Sequence, residues 1–200
     1  MYKFLSKTLK IIVKVLFRVK VEGLENIPKE GACIIAGNHK SNWDPVFLAS
    51  LIDVREINGV AKKELFKVPV LKSVLKKCNV IPVDRENPDL ATIKAILKVL
   101  KENGVIGIFP EGTRHKDLDT FAGVKPGVGM FAVKGKSLVV PVSIVTNYKL
   151  FSKVYVYIDK PMNFEEYYSK RAASEDYMEI SNSVMDTVKE NYFAIRKMED

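Results

Sequence analysis

Cysteine, histidine and tryptophan are nearly absent from this 200-residue chain, at two, two and one copies. Two cysteines, Cys33 and Cys78, cannot build a disulfide framework, which excludes a small stapled secreted module. Two histidines, His39 and His115, do not sustain a zinc cluster, so no metal is expected. No apolar run approaches the roughly 20 residues of a spanning helix, because lysines interrupt the one candidate at the N-terminus. The same lysines break any signal-peptide core, and no small-residue cleavage site follows. With 47% hydrophobic residues the chain lies far above the disordered range. Its length suits one domain with a large core and at most a terminal appendage.

Acidic residues are missing from the first 20 positions, which hold Lys3, Lys7, Lys10, Lys14, Arg18 and Lys20. Residues 62–77 hold six lysines against the single acid Glu64. Together these stretches exceed the net charge of +8, so the rest of the chain is slightly acidic. Both interleave charge with aliphatics, such as Ile11, Ile12 and Val13 or Val68, Val70 and Leu71. A nucleic-acid arm would carry charge without so many aliphatics, so an anionic membrane surface is the expected partner and nucleic acid is not. On a helix, Lys3, Lys7, Lys10 and Lys14 fall inside a stripe no wider than about 80°, with apolar residues around most of the rest. That pattern fits a membrane-interface amphipathic helix over residues 1–18. A helix packed on the domain with its lysines in water would show the same pattern. Residues 19–200 read as a single domain ending in helices.

Further along, Val19–Glu22 alternates as a short strand that stops at Gly23. Ala32–Ala36 is an unbroken apolar run between glycines, the mark of a strand covered on both faces. Pro45–Ile52 reads as a helix, Glu56–Ala61 as a weaker strand and 69–77 as a short helix. Val80–Val83 is a strand that Pro82 pushes toward a sheet edge. Asp89–Lys101 carries a helical apolar stripe that Gly104 ends. Val105–Phe109 is a second buried strand, and Pro126–Lys134 is helical. Leu138–Ile144 and Val154–Ile158 are strands, and the last 35 or so residues form one or two helices. Strands separated by helices predict an α/β fold with a mixed, mostly parallel sheet flanked by helices, preceded by the N-terminal amphipathic helix.

Chemistry concentrates after the two buried strands, where open α/β sheets bind ligands. The first segment is Gly37-Asn38-His39-Lys40-Ser41-Asn42-Trp43-Asp44-Pro45. On one continuous helix His39 and Asp44 would stand about 140° apart. With His39 in a turn and Asp44 opening the helix they can meet, and the carboxylate can then fix the imidazole tautomer. The plainer alternative makes Asp44 a helix N-cap with Pro45 behind it, leaving His39 solvated. The second segment is Phe109-Pro110-Glu111-Gly112-Thr113-Arg114. Here Arg114 can fork onto a phosphate and Glu111 can accept from a hydroxyl, although Glu-Gly-Thr is also an ordinary turn. Val83-Asp84-Arg85 sets another arginine beyond a strand, or merely a surface ion pair.

The motifs Asn38-His39-x-Ser41-x-x-Asp44, Val83-Asp84-Arg85, Phe109-Pro110-Glu111-Gly112-Thr113-Arg114 and Val140-Pro141-Val142 occur in that order and spacing. In this the chain resembles the glycerolipid acyltransferase family, in its bacterial 1-acylglycerol-3-phosphate branch, from about Val21 to Ile144. The resemblance implies a catalytic dyad of His39 and Asp44. It also implies that Arg85, Glu111, Gly112, Thr113 and Arg114 bind the glycerol phosphate. The implied reaction moves a fatty acyl chain from acyl-CoA or acyl carrier protein to the free hydroxyl of lysophosphatidate, without a cofactor. Its implied location is the cytoplasmic face of the cell membrane, as a peripheral protein. Glycerol 3-phosphate or another lysolipid is the alternative acceptor, and a non-catalytic lipid-binding protein of this fold the alternative class. Two departures stand out. Asn79 replaces a usual glycine, a substitution that a left-handed turn tolerates. The stretch from Phe121 to Gly127 is longer than the usual one around Lys125.

Overall fold

A computed structural model describes residues 2–84, 89–169 and 172–199. Seven strands form one sheet: β1 Arg18–Glu22, β2 Cys33–Gly37, β3 Ile57–Lys62, β4 Ile81–Val83, β5 Val105–Ile108, β6 Leu138–Val145 and β7 Lys153–Ile158. Their order is β1-β7-β6-β2-β5-β3-β4. Every neighbouring pair is parallel except β6 with β7. That exception follows from the connection. Only residues 146–152 join β6 to β7, too few for the crossover that a parallel pair needs. The sheet is therefore mixed and mostly parallel, as expected. β2 lies between β5 and β6, with Cys33 opposite both Val105 and Leu138. Both its faces are covered, and every residue of Cys33–Gly37 is buried. β4 closes one edge, where Pro82, opposite Ala61 of β3, has no strand on its outer side.

Helices cover the two faces. α1 Tyr2–Leu16 and α2 Trp43–Leu51 lie on one side, over a core containing Val13, Phe17, Ile35, Phe47, Leu51 and Val142. α4 Leu90–Lys101, α5 Gly127–Gly135 and α6 Ser174–Glu199 cover the other, around Ile34, Ile96, Leu100, Ile106, Phe131 and Val184. α4 starts where Asp89 accepts the Thr92 amide at 2.7 Å, an N-cap. α5 meets α6 at Gly129, where a Cβ would stand 2.1 Å from the Tyr177 carbonyl oxygen, so only glycine fits. α3 Pro69–Lys77 is followed by Asn79, whose φ of 55° is the left-handed turn that asparagine tolerates. No residue of α3 is buried, and Val70 is 77% exposed. The C-terminal segment is one helix, α6, with Val184, Met185 and Val188 inward.

One arc of α1 packs on the rest of the chain. Tyr2, Ser6 and Val13 are buried, and Ser6 Oγ donates to the Ala49 carbonyl of α2 at 2.7 Å. The Ile57 amide donates to the Tyr2 hydroxyl at 3.0 Å, tying the start of α1 to β3. Phe17 packs edge-on against Trp43 and Phe47. Yet the opposite face of α1 exposes Phe4 at 76% and Ile11 and Val15 at 66% each, among Lys3, Lys7 and Lys14. So one arc of the helix is core and the other remains an apolar-basic surface. Among the described residues no helix is long and apolar enough to cross a membrane.

Candidate functional site

Because β2, β3, β4, β5 and β6 are mutually parallel, their C-terminal ends lie together at one side of the sheet. β2 ends at Gly37, and Asn38 then turns the chain out while holding on to β6. Its side-chain amide donates to the Ile144 carbonyl at 3.0 Å and accepts the Ile144 amide at 2.7 Å. The next residue, His39, is thereby fixed in a turn rather than on a helix. α2 begins four residues later, and Asp44 lies in its first turn. The two side chains meet, with Nδ1 of His39 3.1 Å from Oδ2 of Asp44.

Asp44 does not cap the helix that contains it. Its Oδ2 reaches back to accept the amides of Lys40 and Ser41, each at 2.7 Å. Its Oδ1 accepts the hydroxyl of Tyr148 at 2.6 Å. The carboxylate is fully buried, so all its solvation comes from these protein donors. An Nδ1–H donated to Asp44 leaves the lone pair on Nε2 for a substrate. The ring is held flat against Phe109, with centroids 4.2 Å apart and planes at 14°.

The second segment pins His39 from the other side. The His39 amide donates to Glu111 Oε1 at 2.7 Å, and the His115 amide donates to the His39 carbonyl at 2.8 Å. Glu111 Oε2 accepts the Ala122 amide at 3.0 Å. The resemblance implied that Glu111 binds the glycerol phosphate; here its carboxylate accepts two backbone amides. It is 1% exposed, both its oxygens are engaged by backbone amides, and its negative charge would repel a phosphate. Gly112 turns at φ 66°, closing a bond from its amide to the Phe109 carbonyl at 2.9 Å. The turn leaves Thr113 and Arg114 exposed at the same rim. Arg85 lies outside the described residues. Beside it, Asp84 pairs with Lys63 at 2.8 Å.

Lys40, next to His39, is buried rather than offered to a ligand. Its ammonium donates to the carbonyls of Asp117 and Thr120 and lies 3.8 Å from the Phe121 ring centroid. Burial pushes its pKa down. Its work is to fasten the loop that follows Arg114. Lys125 is tied by its amide to the Pro110 carbonyl at 2.9 Å, and its side chain lies against Gly112.

On the α4–α5–α6 side, a cavity of about 520 Å³ opens among Ile93, Ile96, Ile108, Val128, Met130 and Phe131. Thr92, Lys125, Ser174 and Tyr177 are the polar side chains of its lining. Phe109, Pro110 and Gly112 line it too, so the segment that follows β5 borders both the imidazole and the cavity. Sequence reasoning missed this cavity, and it missed Tyr148. No motif marks Tyr148, whose one local oddity is a φ of 60°, rare for a bulky residue.

An imidazole oriented by a buried carboxylate is equipped for general-base chemistry, and an apolar cavity opens along the neighbouring segment after β5. The comparisons with known proteins make the class specific. Residues 18–145 match the family model described as Acyltransferase, and the chain belongs to that family. It is 40% identical over 141 residues to the 1-acyl-sn-glycerol-3-phosphate acyltransferase of Bacillus subtilis, covering 70% of this chain and 69% of that one. The enzyme of the same name from Borreliella burgdorferi is 37% identical over 140 residues, 68% of this chain and 54% of its own. The crystal structure of the 1-acyl-sn-glycerophosphate acyltransferase of Thermotoga maritima superposes with a TM-score of 0.76 at 25% identity, covering 98% of this chain and 81% of that one.

Proposed function

We propose that this chain transfers a fatty acyl group from a thioester donor, acyl-CoA or acyl carrier protein, to the free hydroxyl of lysophosphatidate, giving phosphatidate. The observation that carries the reading is His39, oriented through Nδ1 by Asp44 and backed by Phe109, whose segment also borders the hydrocarbon cavity. Nε2 takes the proton of the acceptor hydroxyl as its oxygen attacks the thioester carbonyl. The tetrahedral oxyanion collapses, the carbon–sulfur bond breaks, and the thiolate recovers the proton from the imidazolium. Asp44 stabilises that imidazolium while it lasts. General-base help of this kind contributes roughly 10²–10⁴-fold. The acyl chain lies in the cavity, and Arg114, with Arg85, binds the phosphate by charge-assisted forks. No resident cofactor enters the scheme.

The acceptor and product are anionic lipids, and the outer arc of α1 suits a membrane that contains them. Phe4, Ile11 and Val15 insert while Lys3, Lys7 and Lys14 meet headgroups. Lys10 is partly engaged with Asp53 at 2.7 Å and contributes less. The protein then works peripherally at the cytoplasmic face. The test is a panel of lysophosphatidate, glycerol 3-phosphate and neutral lysolipids, with both donor types, scored by mass spectrometry. Lysophosphatidate should be the acceptor consumed, and His39→Ala should lose turnover while vesicle binding persists. Full turnover in that variant would remove His39 as the base.

A further inference from the structure

We propose that Tyr148 is a positioning residue for acyl transfer, acting on His39 through the second oxygen of Asp44. The inference rests on His39 being the base. Three N–H groups converge on Oδ2 of Asp44: Nδ1 of His39 and the amides of Lys40 and Ser41. Among the described residues, the donor to Oδ1 is the Tyr148 hydroxyl at 2.6 Å. The carboxylate turns as one unit about its Cβ–Cγ bond, so the bond at Oδ1 adds to the three at Oδ2 in resisting a swing that would carry Oδ2 off the imidazole.

The tyrosine is itself held in place for this contact. Its backbone sits at φ 60°, a strained region for an aromatic residue, and such strain persists only where the surroundings over-determine it. Its amide donates to Thr146 Oγ1 at 3.2 Å, and Thr146 Oγ1 lies 3.3 Å from Ser152 Oγ across the loop. The Phe151 amide of the same loop donates to the Leu16 carbonyl at 2.7 Å, docking it on the end of α1. The ring stacks on Phe47 with centroids 6.5 Å apart and planes at 17°. Burial and the neighbouring Asp44 charge raise the phenol pKa, so the hydroxyl remains a donor. Phenylalanine would fill the same ring site. Only the hydroxyl touches Asp44, so packing and positioning can be separated.

Donation from Tyr148 draws part of the carboxylate charge toward Oδ1, away from the imidazole. Without it the charge concentrates on Oδ2 and favours the imidazolium, which cannot act as a base. The other titratable groups whose fields reach this cluster are Lys40, Glu111 and Tyr192, and Tyr148→Phe leaves all three in place.

The experiment uses the full chain with lysophosphatidate and acyl-CoA. Tyr148→Phe should lower kcat about ten- to hundredfold, the worth of one hydrogen bond to a charged group. KM for both substrates should stay within about twofold, and the acid limb of kcat/KM should move to higher pH. Wild-type kcat together with an unmoved acid limb would overturn the proposal and make Tyr148 a core filler. If Tyr148→Phe does not fold, 3-fluorotyrosine at position 148 keeps the size and strengthens the donor, and the acid limb should then move to lower pH. An unmoved limb with fluorotyrosine overturns it equally. Turnover retained in His39→Ala would instead defeat the acyl-transfer reading, a result independent of either tyrosine variant.

Discussion

Glu111→Gln separates two roles that one carboxylate could have. Resemblance puts Glu111 on the substrate phosphate, whereas the structure gives its two oxygens to the amides of His39 and Ala122, at 2.7 and 3.0 Å. Glutamine keeps the size but has one acceptor, so either the buried His39 amide or the partly buried Ala122 amide must face an NH₂ group. An unsatisfied buried donor costs about 1–3 kcal/mol, and loss of charge from the surviving bond adds about 1 kcal/mol. The total is roughly 2–4 kcal/mol, or about 5–15 °C in a domain of this size, at about 2–4 °C per kcal/mol. Because the His39 amide is one of the two, kcat should fall as the imidazole loosens. KM for lysophosphatidate should hardly change, since no acceptor contact is lost. Thermal unfolding and steady-state kinetics on the same preparation read both quantities. An unchanged Tm with a several-fold higher KM would refute the reasoning and return Glu111 to the phosphate.

Two further substitutions test the apolar surfaces. Met130→Trp, in the wall of the 520 Å³ cavity, should shift acyl preference toward shorter chains in a mixed-donor competition read by mass spectrometry; an unchanged chain profile would place the acyl group elsewhere. Ile11→Asp with Val15→Asp, both 66% exposed, should leave Tm within a few degrees while weakening binding to anionic vesicles by about tenfold or more per residue. Undiminished sedimentation with vesicles would remove α1 from the membrane contact. Deleting residues 1–17 cannot serve for this purpose, because it would also take Val13 and Phe17 out of the core.

Side chains whose environment is set by chain neighbours were legible in the sequence, and those set across the sheet were not. The central strands showed through as continuous apolar runs because both faces of β2 and β6 are covered, and Pro82 correctly sent β4 to an edge. α1 was legible as a helix but not in its rotation. Apolar residues surround most of it, and the inward set of Tyr2, Ser6 and Val13 includes a serine that polarity alone would turn outward. At the site, a spacing of five allowed His39 and Asp44 to meet without requiring it. The meeting depends on Asn38, whose amide grips β6 and stops the chain from continuing straight into α2. The partners that settle the site's behaviour come from further away. Tyr148 is 104 positions beyond Asp44 and Glu111 is 72 beyond His39, brought in because parallel strands deliver their C-terminal ends to one place. A glutamate in a turn reads alike whether it faces solvent or the core. Here the two amide donors behind it decide in favour of the core, and one of them is the amide of His39.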